Sequence, residues 1–124
     1  PFNTLYTARN LTQRRLAWVE TRSSLRIATA KNLQTGRGRT FHAVHASECA
    51  FYPDADTLFT GLSQTIPNKH GSIVVLESTA NGIGNWFYEM WERSEQGETD
   101  YVPLFFPWWR HPEYEQPTTL ASGL

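Results

Sequence analysis

Two stretches place side chains capable of chemistry at the ends of apolar runs. In residues 41–52, FHAVHASECAFY, an apolar-biased run ends in Ser47 and Glu48. In residues 73–82, IVVLESTANG, four apolar residues run straight into Glu77, Ser78, Thr79, Ala80, Asn81 and Gly82. In an open α/β sheet, ligands bind in the crevice outside the carboxyl ends of the strands, so both exits are expected to face a ligand. Phosphoryl transfer uses such a pair. One acidic strand end supplies a metal-shell residue and a carboxylate that orients the attacking water, while a neighbouring strand ends in polar groups near the γ-phosphate. On that reading Ser47 and Glu48 form the first pair, and Ser78, Thr79 and Asn81 the second set.

The phosphate cradle of such a site, G-x-x-x-x-G-K-[ST], occurs nowhere in the chain, and neither Lys31 nor Lys69 stands in a suitable context. These residues alone are therefore not expected to hydrolyse ATP. The competing chemistry is two-metal cleavage of nucleic acid, with Glu48, Asp54, Asp56 and Glu77 as its carboxylates. Asp54 and Asp56, however, stand where acids belong at a helix start. His42 and His45 differ by an odd number on an expected strand and would point to opposite faces, which makes them poor joint metal ligands. Cys49, followed by apolar residues, reads as a buried small side chain.

The elements that must position these groups follow a βαβ rhythm. Residues 41–47 read as a strand. Pro53, Asp54 and Asp56 open a helix over about 54–66, in which Leu58, Phe59, Leu62 and Ile66 recur at helical spacing until Pro67. Ile73-Val74-Val75-Leu76 has the continuous β-branched character of a strand buried on both faces. A third helix runs from Gly84 to about Gly97 with Trp86, Phe87, Met90 and Trp91 as a core stripe. Residues 101–109, YVPLFFPWW, read as a last strand, interrupted by Pro103 and ended by Pro107. Strand, helix, strand, helix, strand implies an α/β fold with a mainly parallel sheet. Before it, Leu5, Leu11, Leu16, Trp18 and Val19 suggest a helix over about 4–21 capped by Asn3, and residues 25–30 alternate as a strand. Residues 32–40, NLQTGRGRT, form a polar loop whose glycines permit close approach and whose arginines, Arg37 and Arg39, offer forks suited to phosphate.

The net charge of −1 conceals a strong asymmetry. Residues 1–40 hold eight Lys or Arg against Glu20 alone, and residues 41–124 hold three against eleven acids. A basic first third suits contact with a polyanion, or a solvated surface paired with acids elsewhere. With 124 residues, 40% apolar, and five Trp, five Tyr and seven Phe, the chain has material for one globular core. No apolar run approaches the roughly 20 residues of a membrane span, and one cysteine makes no internal disulfide. Starting at Pro1, the chain is expected to be a piece of something longer, with residues 111–124 as a tail or linker.

RGRTFHAVHASECAFYP, then IVVLESTANGIGNWFYEMW, then PLFFPWWRHPEY resemble, in order and spacing, the ATPase domain of the large terminase subunit of tailed bacteriophages, over roughly residues 24–114. The resemblance implies a three-layer αβα fold of the P-loop NTPase (ASCE/RecA-like) type, of which residues 1–110 would be the second half. It makes residues 44–48 the Walker B segment, with Glu48 as catalytic glutamate, and residues 78–82 the coupling motif. Where many such motors have Asp before that glutamate, this chain has Ser47, whose hydroxyl can still join a Mg²⁺ shell. Arg37 and Arg39 become possible contacts to nucleotide or DNA. The implied cofactors are ATP and Mg²⁺. The implied partners are double-stranded DNA, the portal protein, the small terminase subunit and further copies in a ring. The implied location is the host cytoplasm, at the procapsid portal. A non-catalytic module binding nucleic acid or portal through the basic third is the alternative, and a two-metal nuclease the third reading.

Overall fold

The computed structural model describes residues 8–12, 15–31, 38–68 and 70–114, with the backbone alone for 8–12 and 114. Along the described residues run β1 (Ala8–Thr12), β2 (Arg15–Trp18), β3 (Ser23–Arg26), β4 (Ala43–Ala46), α1 (Ala55–Ser63), β5 (Ile73–Leu76) and α2 (Trp86–Glu95). Short 3₁₀ turns occur at Cys49–Phe51, Trp108–Arg110 and Pro112–Tyr114. The strands make an antiparallel sheet in the order β1-β2-β3 and a parallel pair β4-β5, so the architecture is a small mixed α/β one. Two compact units divide it, Pro1–Tyr88 and Glu89–Leu124.

The expected helix over 4–21 is corrected by this arrangement: where residues 8–18 are described, they form two strands. Leu16 and Trp18 lie on one face of β2, and Arg15 and Ala17 on the other, a period of two that suits a sheet. β3 supplies the partner that decides the matter, with Leu16 opposite Leu25 and Arg15 opposite Arg26. The turn between them closes through the Arg22 amide, which donates to the Val19 carbonyl at 3.3 Å, with Arg22 at φ 49°. The expected strand over 25–30 begins two residues earlier and ends at Arg26.

The second half of the first unit carries the βαβ element. Asp54 caps α1 by accepting from the Thr57 amide at 3.4 Å, and Asp56 lies in the positively polarised first turn. Ala55, Leu58 and Leu62, spaced three and four apart, make the buried face of α1; Ala46, Cys49 and Ala50 are the other buried apolar residues described. Burying each leucine contributes about 2 kcal/mol. The Phe41 amide donates to the Thr65 carbonyl at 3.0 Å, and the Ile73 amide to the His42 carbonyl at 2.8 Å, so both strands are anchored where they begin.

β4 and β5 run parallel with Ala46 opposite Leu76. The expectation that β5 is buried on both faces is corrected: Val74 and Leu76 are half-buried, whereas Ile73 is 59% and Val75 43% exposed. One face of this sheet is covered and the other open. At the start of α2, Asn85 accepts from the Tyr88 amide at 3.0 Å, an N-cap bond. Trp86 stacks on Phe59 at 4.2 Å and Phe59 on Tyr52 at 5.9 Å, which ties the first turn of α2 to α1.

Within the second unit, Gly97 at φ 74° ends α2 in a Schellman turn, its amide donating to the Ser94 carbonyl and the Glu98 amide to the Arg93 carbonyl. Trp91, Phe105, Trp109 and Trp108 form a chain of edge-to-face rings. The expected last strand over 101–109 is corrected: residues 101–107 have no regular structure. Pro103 and Pro107 each remove a backbone donor, and a ladder cannot form past them. Among the described residues, no helix is long and apolar enough to cross a membrane.

Candidate functional site at two parallel strand exits

Parallel pairing brings the two chemistry-bearing stretches to the same end of one sheet. Beyond Ala46 and Leu76 the strands stay joined by two backbone hydrogen bonds: the Glu77 amide donates to the Ala46 carbonyl at 2.9 Å, and the Cys49 amide to the Glu77 carbonyl at 3.1 Å. Between those bonds lie Ser47 and Glu48, both exposed.

Glu48 adopts φ 60° and ψ 40°, left-handed backbone that a side chain other than glycine's disfavours by about 1–2 kcal/mol. Such strain persists where the surroundings over-determine it, and it clusters at functional sites. The turn directs the chain at once into the 3₁₀ segment Cys49–Phe51, in which the Phe51 amide donates to the Glu48 carbonyl at 3.0 Å. Cys49 and Ala50 are buried beneath it, so the turn is fastened from below while the Glu48 carboxylate stays in solvent.

The second exit answers residue by residue. Thr79 Oγ1 donates to Glu48 Oε2 at 3.3 Å. The Ala50 amide donates to Ser78 Oγ at 3.1 Å, and Asn81 Nδ2 donates to the Ala50 carbonyl at 3.0 Å. Gly82 has φ 68°, a conformation that a side chain would strain. Asn85, a residue the sequence reading passed over, donates through Nδ2 to the Asn81 and Gly82 carbonyls at 3.1 and 3.2 Å while capping α2. Its position just before an apolar helical run was the available signal.

Of the other residues singled out by sequence, Glu77 and Cys49 belong to the exits themselves and Arg39 does not. Arg39 lines an open depression along α1 with Gly38, Thr40, Asp56, Thr57 and Thr60, a set that does not include Glu48. Arg37 lies outside the described residues. Glu77 faces His45, with Oε1 and Nε2 3.6 Å apart on exposed side chains. Cys49 Sγ donates to the Ala46 carbonyl at 3.2 Å; burial pushes its thiol up to about 11, with the Glu77 and Glu48 carboxylates acting in the same direction. Such a thiol is protonated at neutral pH and a poor nucleophile. Among the described residues no three His, Cys, Asp or Glu side chains group as metal ligands.

The arrangement offers an exposed carboxylate on a braced turn, the Thr79 hydroxyl on it, an exposed serine beside it in sequence, and an amide at the neighbouring exit. A carboxylate so placed can accept a proton from, and orient, a water at its exposed face. A search of the chain against models of known protein families matches none of them.

Proposed function

We propose that the chain is part of the ATPase domain of a viral DNA-packaging motor of the large-terminase type, coupling ATP hydrolysis to movement of double-stranded DNA into a procapsid. The observation that carries the reading is the strained Glu48, held at the carboxyl end of a parallel strand with the Thr79 hydroxyl on its carboxylate. That is where a water-orienting glutamate and a phosphate-facing neighbour are needed for phosphoryl transfer. The motif order Ser-Glu-Cys-Ala-Phe, then Ser-Thr-Ala-Asn-Gly, supports it independently.

In this reading β4, α1 and β5 belong to a larger three-layer αβα sheet of the P-loop type, whose phosphate-binding half these residues do not supply. Ser47 and Glu48 provide hard oxygen donors of the kind that suits Mg²⁺, directly or through water. Bound there with ATP, the ion would neutralise charge on the phosphates. Glu48 orients water and receives its proton; Ser78, Thr79, Ala80, Asn81 and Gly82 form the coupling element. Portal, small terminase subunit and neighbouring copies in a ring are the partners, met in the host cytoplasm.

The test uses a protein that carries this segment together with a phosphate-binding loop. Glu48→Gln is expected to lower DNA-stimulated ATP hydrolysis about 100-fold or more with nucleotide binding retained, because only the water-orienting group is lost. Near-normal turnover in that variant overturns the assignment.

A second reading, a nucleic-acid-binding module, is favoured by one observation. Arg15 and Arg26 stand directly opposite on β2 and β3, and no hydrogen-bond partner of the buried Arg15 Nε lies among the described residues. Like charges so placed repel, and a phosphate oxygen on the outer guanidinium nitrogens would relieve the repulsion. The two readings are compatible in a protein that moves along DNA.

A further inference from the structure

Both polar groups of the Ala50 peptide backbone are taken by side chains from the far strand exit. The amide donates to Ser78 Oγ at 3.1 Å, and the carbonyl accepts from Asn81 Nδ2 at 3.0 Å, across 28 and 31 residues of sequence. Ala50 is the middle residue of the 3₁₀ turn that begins directly after Glu48. Glu48 itself has no side-chain capping bond, although its backbone is in the left-handed region. Apart from the exposed bond that its carboxylate accepts from Thr79, it is the turn following Glu48 that holds its backbone there.

We propose that Ser78 and Asn81 are positioning residues: they grip Ala50 from both sides and so fix the turn that aims the Glu48 carboxylate. The residue types fit the task. A hydroxyl oxygen can accept from the amide, and only a donor can serve the carbonyl, which an aspartate at 81 could not do in its ionised form. Asn81 is in turn held by Asn85, whose Nδ2 donates to the Asn81 carbonyl and whose Oδ1 caps α2. The line of contacts runs from the α2 N-terminus through Asn81 and Ala50 to Glu48. Displacement of Ser78 and Asn81 would rotate the carboxylate although neither of their bonds reaches it.

The kinetic arm of the test rests on the hydrolysis reading, and the structural arm does not. In the full chain, amide hydrogen exchange is measured residue by residue. Ser78→Ala is expected to speed exchange at the Ala50 amide about fivefold to tenfold, Ser78→Thr to restore it, and the α1 amides of Leu58 and Leu62 to stay unchanged. Asn81→Ala is expected to shift the carboxyl carbon resonance of Glu48 in the same chain. Unchanged Ala50 exchange in Ser78→Ala, or an unmoved Glu48 carboxyl in Asn81→Ala, overturns the grip.

In a protein that also carries the phosphate-binding loop, Asn81→Ala is expected to lower kcat about tenfold or more at unchanged KM for ATP. It should have no further effect in a Glu48→Gln background, because it acts through Glu48. Additive losses overturn the positioning role. If the wild type hydrolyses no nucleotide, the hydrolysis reading falls by itself, and the exchange and resonance results decide the grip.

Discussion

Thr79 Oγ1 lies 3.3 Å from Glu48 Oε2, a hydrogen bond across 31 residues of sequence that joins the exits of the two parallel strands. The hydroxyl donates to the carboxylate that the proposed hydrolysis would use to orient water, and so it fixes the direction of Glu48. Thr79→Val keeps the shape and removes the donor. Both side chains are exposed, and the bond contributes about 1 kcal/mol or less to stability. The expected outcome is an unchanged melting temperature within a few degrees, together with a several-fold lower kcat for hydrolysis in the phosphate-loop-bearing protein. Thermal denaturation and steady-state kinetics check the two halves separately.

The left-handed backbone of Glu48 sets stability against function. Glycine at this position has no Cβ to disfavour φ 60°, and the relief outweighs its larger loss of freedom on folding. Glu48→Gly is expected to stabilise the fold by about 0.5–1 kcal/mol while eliminating any hydrolysis that depends on the carboxylate. Glu48→Ala loses the carboxylate without relieving the backbone. Urea titration of the three proteins orders them glycine, then wild type and alanine together, and an alanine variant as stable as the glycine one contradicts the strain.

Much of the second half was legible in the sequence. Apolar runs ending in polar clusters marked β4 and β5, and Pro53 with Asp54 and the Leu58–Leu62 spacing marked α1. Residues 8–12 and 15–18 read as helix because Leu11, Leu16, Trp18 and Val19 satisfy a loose helical spacing over a stretch whose alternation is equally short. Only the cross-strand partners Leu25 and Arg26 decide it, and they come from a later segment. The aromatic run at 101–109 has the composition of a strand but is interrupted by two prolines, and no strand among the described residues pairs with it. At the site, residue types announced Glu48 and the Ser-Thr-Ala-Asn-Gly exit. The φ of Glu48 and the double grip on Ala50 could not be read, because glutamate is no signal for left-handed backbone and the grip depends on register.

Cys49 makes stability fall at alkaline pH. Its ordinary value of 9.0 applies to the unfolded chain, and burial raises it to about 11 in the fold. Below pH 9 the thiol is protonated in both states and its contribution is intact. Between about 9 and 11 the unfolded chain releases a proton that the fold retains, so unfolding is favoured progressively; above 11 the loss levels off. Tyr52, raised by burial and by its neighbour Cys49, loses stability in the same direction. Comparing wild type with Cys49→Ala by denaturant titration from pH 8 to 11 isolates the thiol: the wild type should lose more stability over that range. At pH 8 the thiol should react with iodoacetamide only as fast as the turn opens.

Arg15 and Arg26 set two like charges opposite each other in the basic first third. Opposite positions on an antiparallel ladder bring like charges together at a cost of a few tenths to about 1 kcal/mol, and no ion pair among the described residues offsets it. Arg26→Glu turns repulsion into attraction and should raise the stability of the free chain by about 0.5 kcal/mol at low salt, with the gain screened at high salt. If the pair receives phosphate, the same substitution should weaken binding to duplex DNA, and it should lower the slope of log affinity against log salt by about one contact or more. Arg26→Gln separates the effects, since it removes repulsion without adding an acid. A stabilised Arg26→Glu variant with unchanged DNA affinity and slope would leave the pair as a structural liability with no ligand, and the binding reading of the basic third would fall with it.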